Sequence, residues 1–266
     1  MLVVRLRRVG HTHHLTFHGA FVTKRYQTWA RGEHRREWAV LRHVQEHAPG
    51  LAPLPVEAML DDCPPAITML RVPGDPLTGP LSAAQTAAVA DAVTRLWAVP
   101  HHDDADLGGW SDDLHFARRL TAGPRPADGV LANAFDAAVH WWNGPDPDQL
   151  RRRPAITVVG HRDPNLSNYL WDGRRVRIVD FEDSGVSDPA TELAIMTEHL
   201  AWRHIGIGEL CDRFTVAGDR FLAARRVWAM FWLRLLLPGG PAVARNPPGA
   251  AECQARRLLN LLKQQP

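Results

Sequence analysis

The chain has 266 residues, 45% of them hydrophobic and 23% charged, enough for one large domain or two lobes around a sizeable core. Its net charge of +2 comes from scattered basic residues, which excludes wholesale nucleic-acid binding, and no apolar run approaches the ~20 residues that span a bilayer. Cys63, Cys211 and Cys253 are few and far apart, so a reducing cytoplasm is expected, with neither a disulfide framework nor a zinc motif.

In chain order, MLVVRLRR shows no apolar h-region or cleavage site, so no signal peptide is read. LVVRLRR, HLTFH and AFVTKRY have strand-like apolar content, with a His-Gly turn between the last two. RGEHRREWAVLRHVQEHA has helical spacing and closes at Pro49-Gly50. LPVEAML and AITMLR read as two more strands joined by the turn-rich DDCPP. VPGDPLTGP at 72–80 is dense in Pro and Gly and marks a boundary. Helical spacing then dominates at 81–98, 111–121, 130–142, 189–203, 208–237 with a break, and 250–263. VWAMFWL before Arg234 is short and interrupted, a buried helix rather than a membrane span. The fold class expected is α+β, with a small β-rich lobe at 1–72 and a mainly helical lobe at 73–266, joined by a hinge at about 68–76.

One β element interrupts the helices. The apolar runs Ile156–Val159 and Val176–Val179 flank HRDPNLSN and an Asp172-Gly173 pair, a strong hairpin signal because both residues tolerate positive φ. A two-residue turn sets Trp171 opposite Arg174, Asn168 near Arg177 and Asn165 near Asp180. Asp163, Asn168 and Asp180 then meet at one end of the hairpin. Two carboxylates and an amide oxygen are hard ligands of the kind that hold Mg2+, and a carboxylate beside such a site can accept a proton from an attacking hydroxyl. Singly, each residue also has a bland reading: Asp163 starting a turn, Asn168 capping, Asp180 ending a strand.

HRDPNLSN followed by IVDFE resembles the catalytic core of the protein-kinase-like superfamily, most of all its aminoglycoside phosphotransferase and choline kinase branch. The resemblance implies a bilobal kinase-like fold, with Asp163 as catalytic base and Asn168 and Asp180 as Mg2+ ligands. His161 would support the loop, and SDPATELA at 187–194 resembles a further motif in which Asp188 buttresses the loop and caps a helix. Asn165 stands where protein kinases carry lysine, and DFE reaches SDP with no room for an activation segment, which favours a small-molecule kinase.

The superfamily also needs a strand lysine for the phosphates and a helix glutamate to hold it. Strand alternation sets Val22, Lys24 and Tyr26 on one face, where a charge is costly unless paired. Glu37, Leu41, Val44 and Ala48 share a helical stripe, so Glu37 suits Lys24, although Glu33 is an open alternative. Of 31 basic residues only Lys24 and Lys263 are lysines, and a compact ammonium suits phosphate approach. The phosphate-covering turn would be VGHTHHLTFHG, with Gly10 alone, and His11, His13 and His14 are read as solvated loop residues or phosphate contacts. HHDD at 101–104 reads as an exposed turn. The resemblance further implies adenine hydrogen-bonding to backbone at Met69, Leu70 and Arg71.

The function so implied is transfer of the ATP γ-phosphoryl group, with Mg2+, to a hydroxyl of a small molecule: an aminoglycoside, a macrolide-like natural product, an amino alcohol or a sugar. No nucleic-acid or membrane partner is expected. Arg220, Arg225, Arg226 and Arg234 and the basic, apolar C-terminus suit a less cationic acceptor at least as well as an aminoglycoside. The alternative is a nucleotide-binding pseudokinase that regulates a partner protein.

Overall fold

A computed structural model describes residues 13–101, 107, 110–127, 129–203, 205 and 207–265. LVVRLRR, Gly10, His11 and most of HHDD lie outside the described residues. The chain packs as two compact units, one of residues 1–110 and 158–187, the other of 111–157 and 188–266.

The first unit is built on a four-stranded antiparallel sheet in the order β1-β2-β4-β3, with β1 His14–His18, β2 Phe21–Arg25, β3 Pro55–Met59 and β4 Ala66–Leu70. Gly19, at φ 59°, opens the two-residue turn that sets His18 opposite Phe21. Helix α1, Glu33–His47, turns Glu37, Val40, Leu41 and Val44 inward, as the stripe predicts. Alternation on β2 buries Val22 and Lys24, and Tyr26 continues the buried face just past its end.

The rest of this unit corrects the expected hairpin. Strand β5, Asp75–Pro76, lies in the Pro/Gly linker and pairs with β7, Tyr169–Trp171, which pairs with β8, Val176–Ile178. Trp171 faces Val176, so the turn spans four residues rather than two. Asp172 Oδ1 accepts the N–H groups of Arg174 and Arg175, which widens the loop by side-chain capture of the backbone. Partners move by two positions, which keeps the same faces together: Val179 N–H now donates to Asn168 O. Strand β6, Val158–Gly160, pairs with β9, Gly185–Ser187, instead of the hairpin. Helix α2, Ala83–Trp97, starts at a capping box between Ser82 and Gln85 and packs on β6 and β8.

The second unit is helical: α3 Leu114–Thr121, α4 Gly129–Trp142, α5 Asp148–Arg151, α6 Pro189–Glu198, α7 Gly208–Cys211, α8 Gly218–Leu236 and α9 Ala250–Lys263. Helix α8 contains VWAMFWL and packs against α3, α5, α6 and α9 around Ala117, Phe135, Val227, Met230, Leu233 and Leu258. No helix among the described residues is long and apolar enough to cross a membrane. Asp188 Oδ1 accepts the N–H groups of Ala190 and Thr191, so it caps α6 as expected. Three of the late arginines are committed inside this unit: Arg220 to Asp188, Arg225 to Glu198 and Arg226 to Asp146.

Candidate active site

Every residue proposed from the sequence for catalysis or cofactor binding lies in the first unit. Lys24 is 4% exposed, and its Nζ donates to Glu37 Oε2 at 2.7 Å, to Glu182 Oε2 at 2.7 Å and to Asp180 Oδ1. Glu37 is the helix partner. The alternative, Glu33, is spent on the backbone N–H and guanidinium of Arg31. Tyr26 adds its hydroxyl to Glu37 Oε2 at 2.5 Å, and Phe181 N–H donates to Glu37 Oε1 at 3.2 Å. Both oxygens of this buried carboxylate are thereby satisfied, and the segment carrying Asp180 is tied to α1.

Burial works to lower the Lys24 pKa, but the carboxylates of Glu37, Asp180 and Glu182 outweigh it and hold the ammonium charged above its ordinary range. Burial raises the Glu37 carboxyl against the pull of Lys24, and burial with the Glu37 charge raises the Tyr26 phenol. Glu182 goes the other way. Burial alone would raise it, yet the His13 hydrogen bond and the Lys24 charge bring it down to about 2.

Glu182 is a residue that the sequence reading did not place here, and His13 was left between a solvated loop residue and a phosphate contact. His13 is 6% exposed, not a solvated loop residue. Its Nδ1 accepts Gln27 N–H at 3.1 Å, which leaves the hydrogen on Nε2, 2.7 Å from Glu182 Oε2. Glu182 was legible as part of DFE but carried no role of its own. The pairing of His13 with Glu182 had no sequence signal, since His13 sits in a polar stretch among other histidines.

The loop after β6 holds the second half of the site. Asn168 Nδ2 donates to Asp163 Oδ2 at 3.0 Å and to Asp163 O at 3.1 Å, so the two residues form one unit as the spacing predicts. Asn168 Oδ1 takes no hydrogen bond among the described residues and is the group's available oxygen. Burial raises the Asp163 carboxyl, helped by the Asp180 charge and opposed by His161 and the Asn168 hydrogen bond. His161 bonds Val179 O through Nε2 at 3.0 Å and meets the Phe181 ring edge-on at 4.9 Å, a support for both strands of the loop. Arg162 and Asp180 hold positive φ of 64° and 70°. Such conformations cost non-glycine residues of order 1 kcal/mol and gather at functional sites.

Met69 and Leu70 end β4, and the Arg71 guanidinium lies 5.7 Å over the Phe17 ring. Leu70 N–H donates to Leu54 O and Arg71 N–H to Ala20 O, each at 2.8 Å. Those two amides are therefore occupied by the chain itself.

Among solved structures the chain is similar to a choline/ethanolamine kinase family protein from Mesorhizobium loti, with TM-score 0.69 and 16% identity over 99% of this chain and 89% of that one. It is similar to choline kinase LicA from Streptococcus pneumoniae, with TM-score 0.66 and 11% identity over 98% and 93%; LicA is also known in complex with AMP. Macrolide 2'-phosphotransferase MphH from Brachybacterium faecium gives TM-score 0.57 and 15% identity over 99% and 91%. These likenesses show the protein-kinase-like α+β fold. No curated protein matches the chain. The sequence model of the phosphotransferase enzyme family matches residues 8–231, so the chain belongs to that family and is a small-molecule kinase by class.

Proposed function

We propose that the chain transfers the γ-phosphoryl group of ATP to a hydroxyl of a small molecule, with Asp163 as base, Lys24 on the phosphates, and Asn168 and Asp180 as the Mg2+ ligands. The observation that carries this reading is the buried Lys24–Glu37 pair reaching Asp180, beside a joined Asp163–Asn168 loop. The donor set suits Mg2+. Asn168 turns its amide nitrogen to Asp163 and keeps Oδ1 available, and three carboxylates around one ammonium leave surplus negative charge. When bound, Mg2+ would neutralise charge on the transferring phosphates.

The three N–H bonds of Lys24 all point at carboxylates. For Lys24 to donate to a phosphate, one partner must leave. Asp180 is the one, because its side chain is 37% exposed against 2% for Glu37 and 12% for Glu182. Glu37 and Glu182 then keep the ammonium in place while Asp180 turns to its ligand role. Asp163, raised by burial, is suited to accept the hydroxyl proton, and the Asn168 amide fixes its Oδ2. Met69, Leu70 and Arg71 are the proposed base-contacting stretch, within a hinge at about 68–76.

AMP bound to a kinase of the same fold supports a nucleotide site. For the acceptor, Arg220, Arg225 and Arg226 no longer argue, since each is held by a carboxylate of its own unit. The acceptor is thus proposed only as a small molecule with a free hydroxyl. Incubating the purified chain with ATP, Mg2+ and a panel of amino alcohols, sugars, aminoglycosides and macrolides tests it, with mass detection of the phosphorylated product. Asp163→Asn should lower kcat/KM by roughly 100- to 10,000-fold, the usual worth of a general base. Undiminished turnover in that variant removes Asp163 from its role. Nucleotide binding with no product from any acceptor would favour the pseudokinase alternative.

A further inference from the structure

The helical unit contains a cavity of about 420 Å3, within the roughly 300–1,000 Å3 of small-molecule sites. It lies between the end of α3 and the end of α8, lined among others by Phe116, Arg119, Phe231, Arg234, Leu235 and Pro241. Arg119 and Arg234 are both exposed, and no acidic side chain lines the cavity among the described residues. Several other arginines of this unit are committed to partners. Arg220, Arg225, Arg226 and Arg257 each hold a carboxylate, whereas neither Arg119 nor Arg234 has a hydrogen-bonding or carboxylate partner among the described residues.

The apolar part of the cavity is ordered by packing. Phe116 and Phe231 meet edge-on at 4.8 Å, Trp228 backs both at 4.9 Å, and the Arg119 guanidinium lies 6.0 Å over the Phe116 ring. The opposite wall is the Leu237–Pro241 segment, fixed by its backbone. Ala242 N–H donates to Leu235 O at 3.1 Å and Gly240 N–H to Leu237 O at 2.8 Å, and a Cβ on Gly240 would stand 2.2 Å from Leu235 O. A preformed wall lowers the ordering cost of binding. Two guanidiniums, each a fork of donors matched to carboxylate or phosphate oxygens, open onto an aromatic and aliphatic surface.

We infer that this cavity binds a small organic anion, an apolar body carrying one carboxylate or phosphate, gripped by Arg119 and Arg234 and seated on Phe116 and Phe231. The site belongs to the helical unit alone and does not rest on the phosphoryl-transfer reading. Charge complementarity selects the head group, and the aromatic floor selects against simple inorganic ions.

The test is isothermal titration of the full chain, without nucleotide or acceptor, using three probes with one ring system: 2-naphthoate, 2-naphthyl phosphate and neutral 2-naphthamide. At least one anion should bind with a stoichiometry of one, and the amide roughly tenfold or more weaker, as expected for a lost charge-assisted hydrogen bond. An Arg119→Gln/Arg234→Gln double variant should bind the anions no better than the amide, with an unchanged thermal midpoint because both side chains are exposed. A preference for the phosphate assigns phosphate monoesters, a preference for the carboxylate assigns organic acids, and either supports the site. Equal binding of amide and anions, undiminished anion binding by the double variant, or no binding of either anion overturns it.

Discussion

Lys24 is a buried ammonium with three carboxylate partners, and its neighbours depend on it as much as it depends on them. Lys24→Met leaves Glu37, 1% exposed, with an uncompensated charge, which costs roughly 3–5 kcal/mol in comparable buried pairs. Urea unfolding should show that loss, and Lys24→Met/Glu37→Gln should recover part of it. A single variant as stable as wild type would mean the pair is not buried in solution. Glu182 gives a pH signature. Its pKa is lowered from 4.5 to about 2, so folding favours the ionised form. That contribution is fully present above 4.5 and is lost as pH falls through the window toward 2. Between pH 5 and pH 3 the unfolding free energy of Glu182→Gln should therefore fall less than that of wild type; parallel acid limbs would dismiss the effect. Lys24 and Glu37 were legible because alternation on a strand and i, i+4 spacing on a helix are local rules. His13 and Glu182 meet across most of the chain, which no local rule encodes.

At the scale of elements, the long helices α1, α2, α4, α8 and α9 announce themselves because their apolar spacing repeats over several turns. Strands β5 and β9, of two and three residues, are too short to carry a pattern, and they exist because non-local partners bond them. Gly74 shows the same effect. It reads as part of a Pro/Gly-dense boundary, yet at φ 116° a Cβ there would stand 2.8 Å from the Trp171 carbonyl, so glycine permits the β5–β7 approach. The Asp-Gly turn misled by two residues because the Asp172 side chain, not the dipeptide's backbone preference, sets the loop. Helix α6 offers the cleaner test. Asp188 caps it with Oδ1 and holds Arg220 with Oδ2 at 2.9 Å, while 3% exposed. Asp188→Ala loses a cap worth about 1 kcal/mol and takes the carboxylate from a part-buried guanidinium that keeps only the Gln149 and Arg152 carbonyls, for a total on the order of 2 kcal/mol. Asp188→Asn keeps the cap oxygen and should lose distinctly less. Equal losses in urea unfolding would show that the Arg220 pair, not the cap, holds α6.

At the scale of the whole molecule, the sequence placed a boundary at the Pro/Gly linker near residue 72, whereas packing divides the chain at 110, 158 and 188. The reason is physical. Asp75 pairs with Trp171 in the β5-β7-β8 sheet and Ile178 N–H donates to Leu51 O, so the hairpin is bonded to the first seventy-six residues rather than to the helices that follow, and neither bond is foreshadowed by composition. The division puts Lys24, Glu37, Asp163, Asn168 and Asp180 in one unit and the anion cavity in the other. A ligand that binds only folded protein raises stability by mass action, about 2.7 kcal/mol at 100 times Kd. In scanning calorimetry, ATP with Mg2+ should therefore raise the midpoint of the transition that contains residues 1–110 and 158–187. Adding EDTA should remove most of that rise. Asp180→Asn should behave, even with Mg2+, as wild type does in EDTA. Its own midpoint without nucleotide should stay near that of wild type, because Asp180 is partly exposed and an asparagine oxygen can still accept from Lys24. A full Mg2+-dependent rise in Asp180→Asn would remove Asp180 from the metal site, and leave the negative charge around Lys24 as a feature of folding alone.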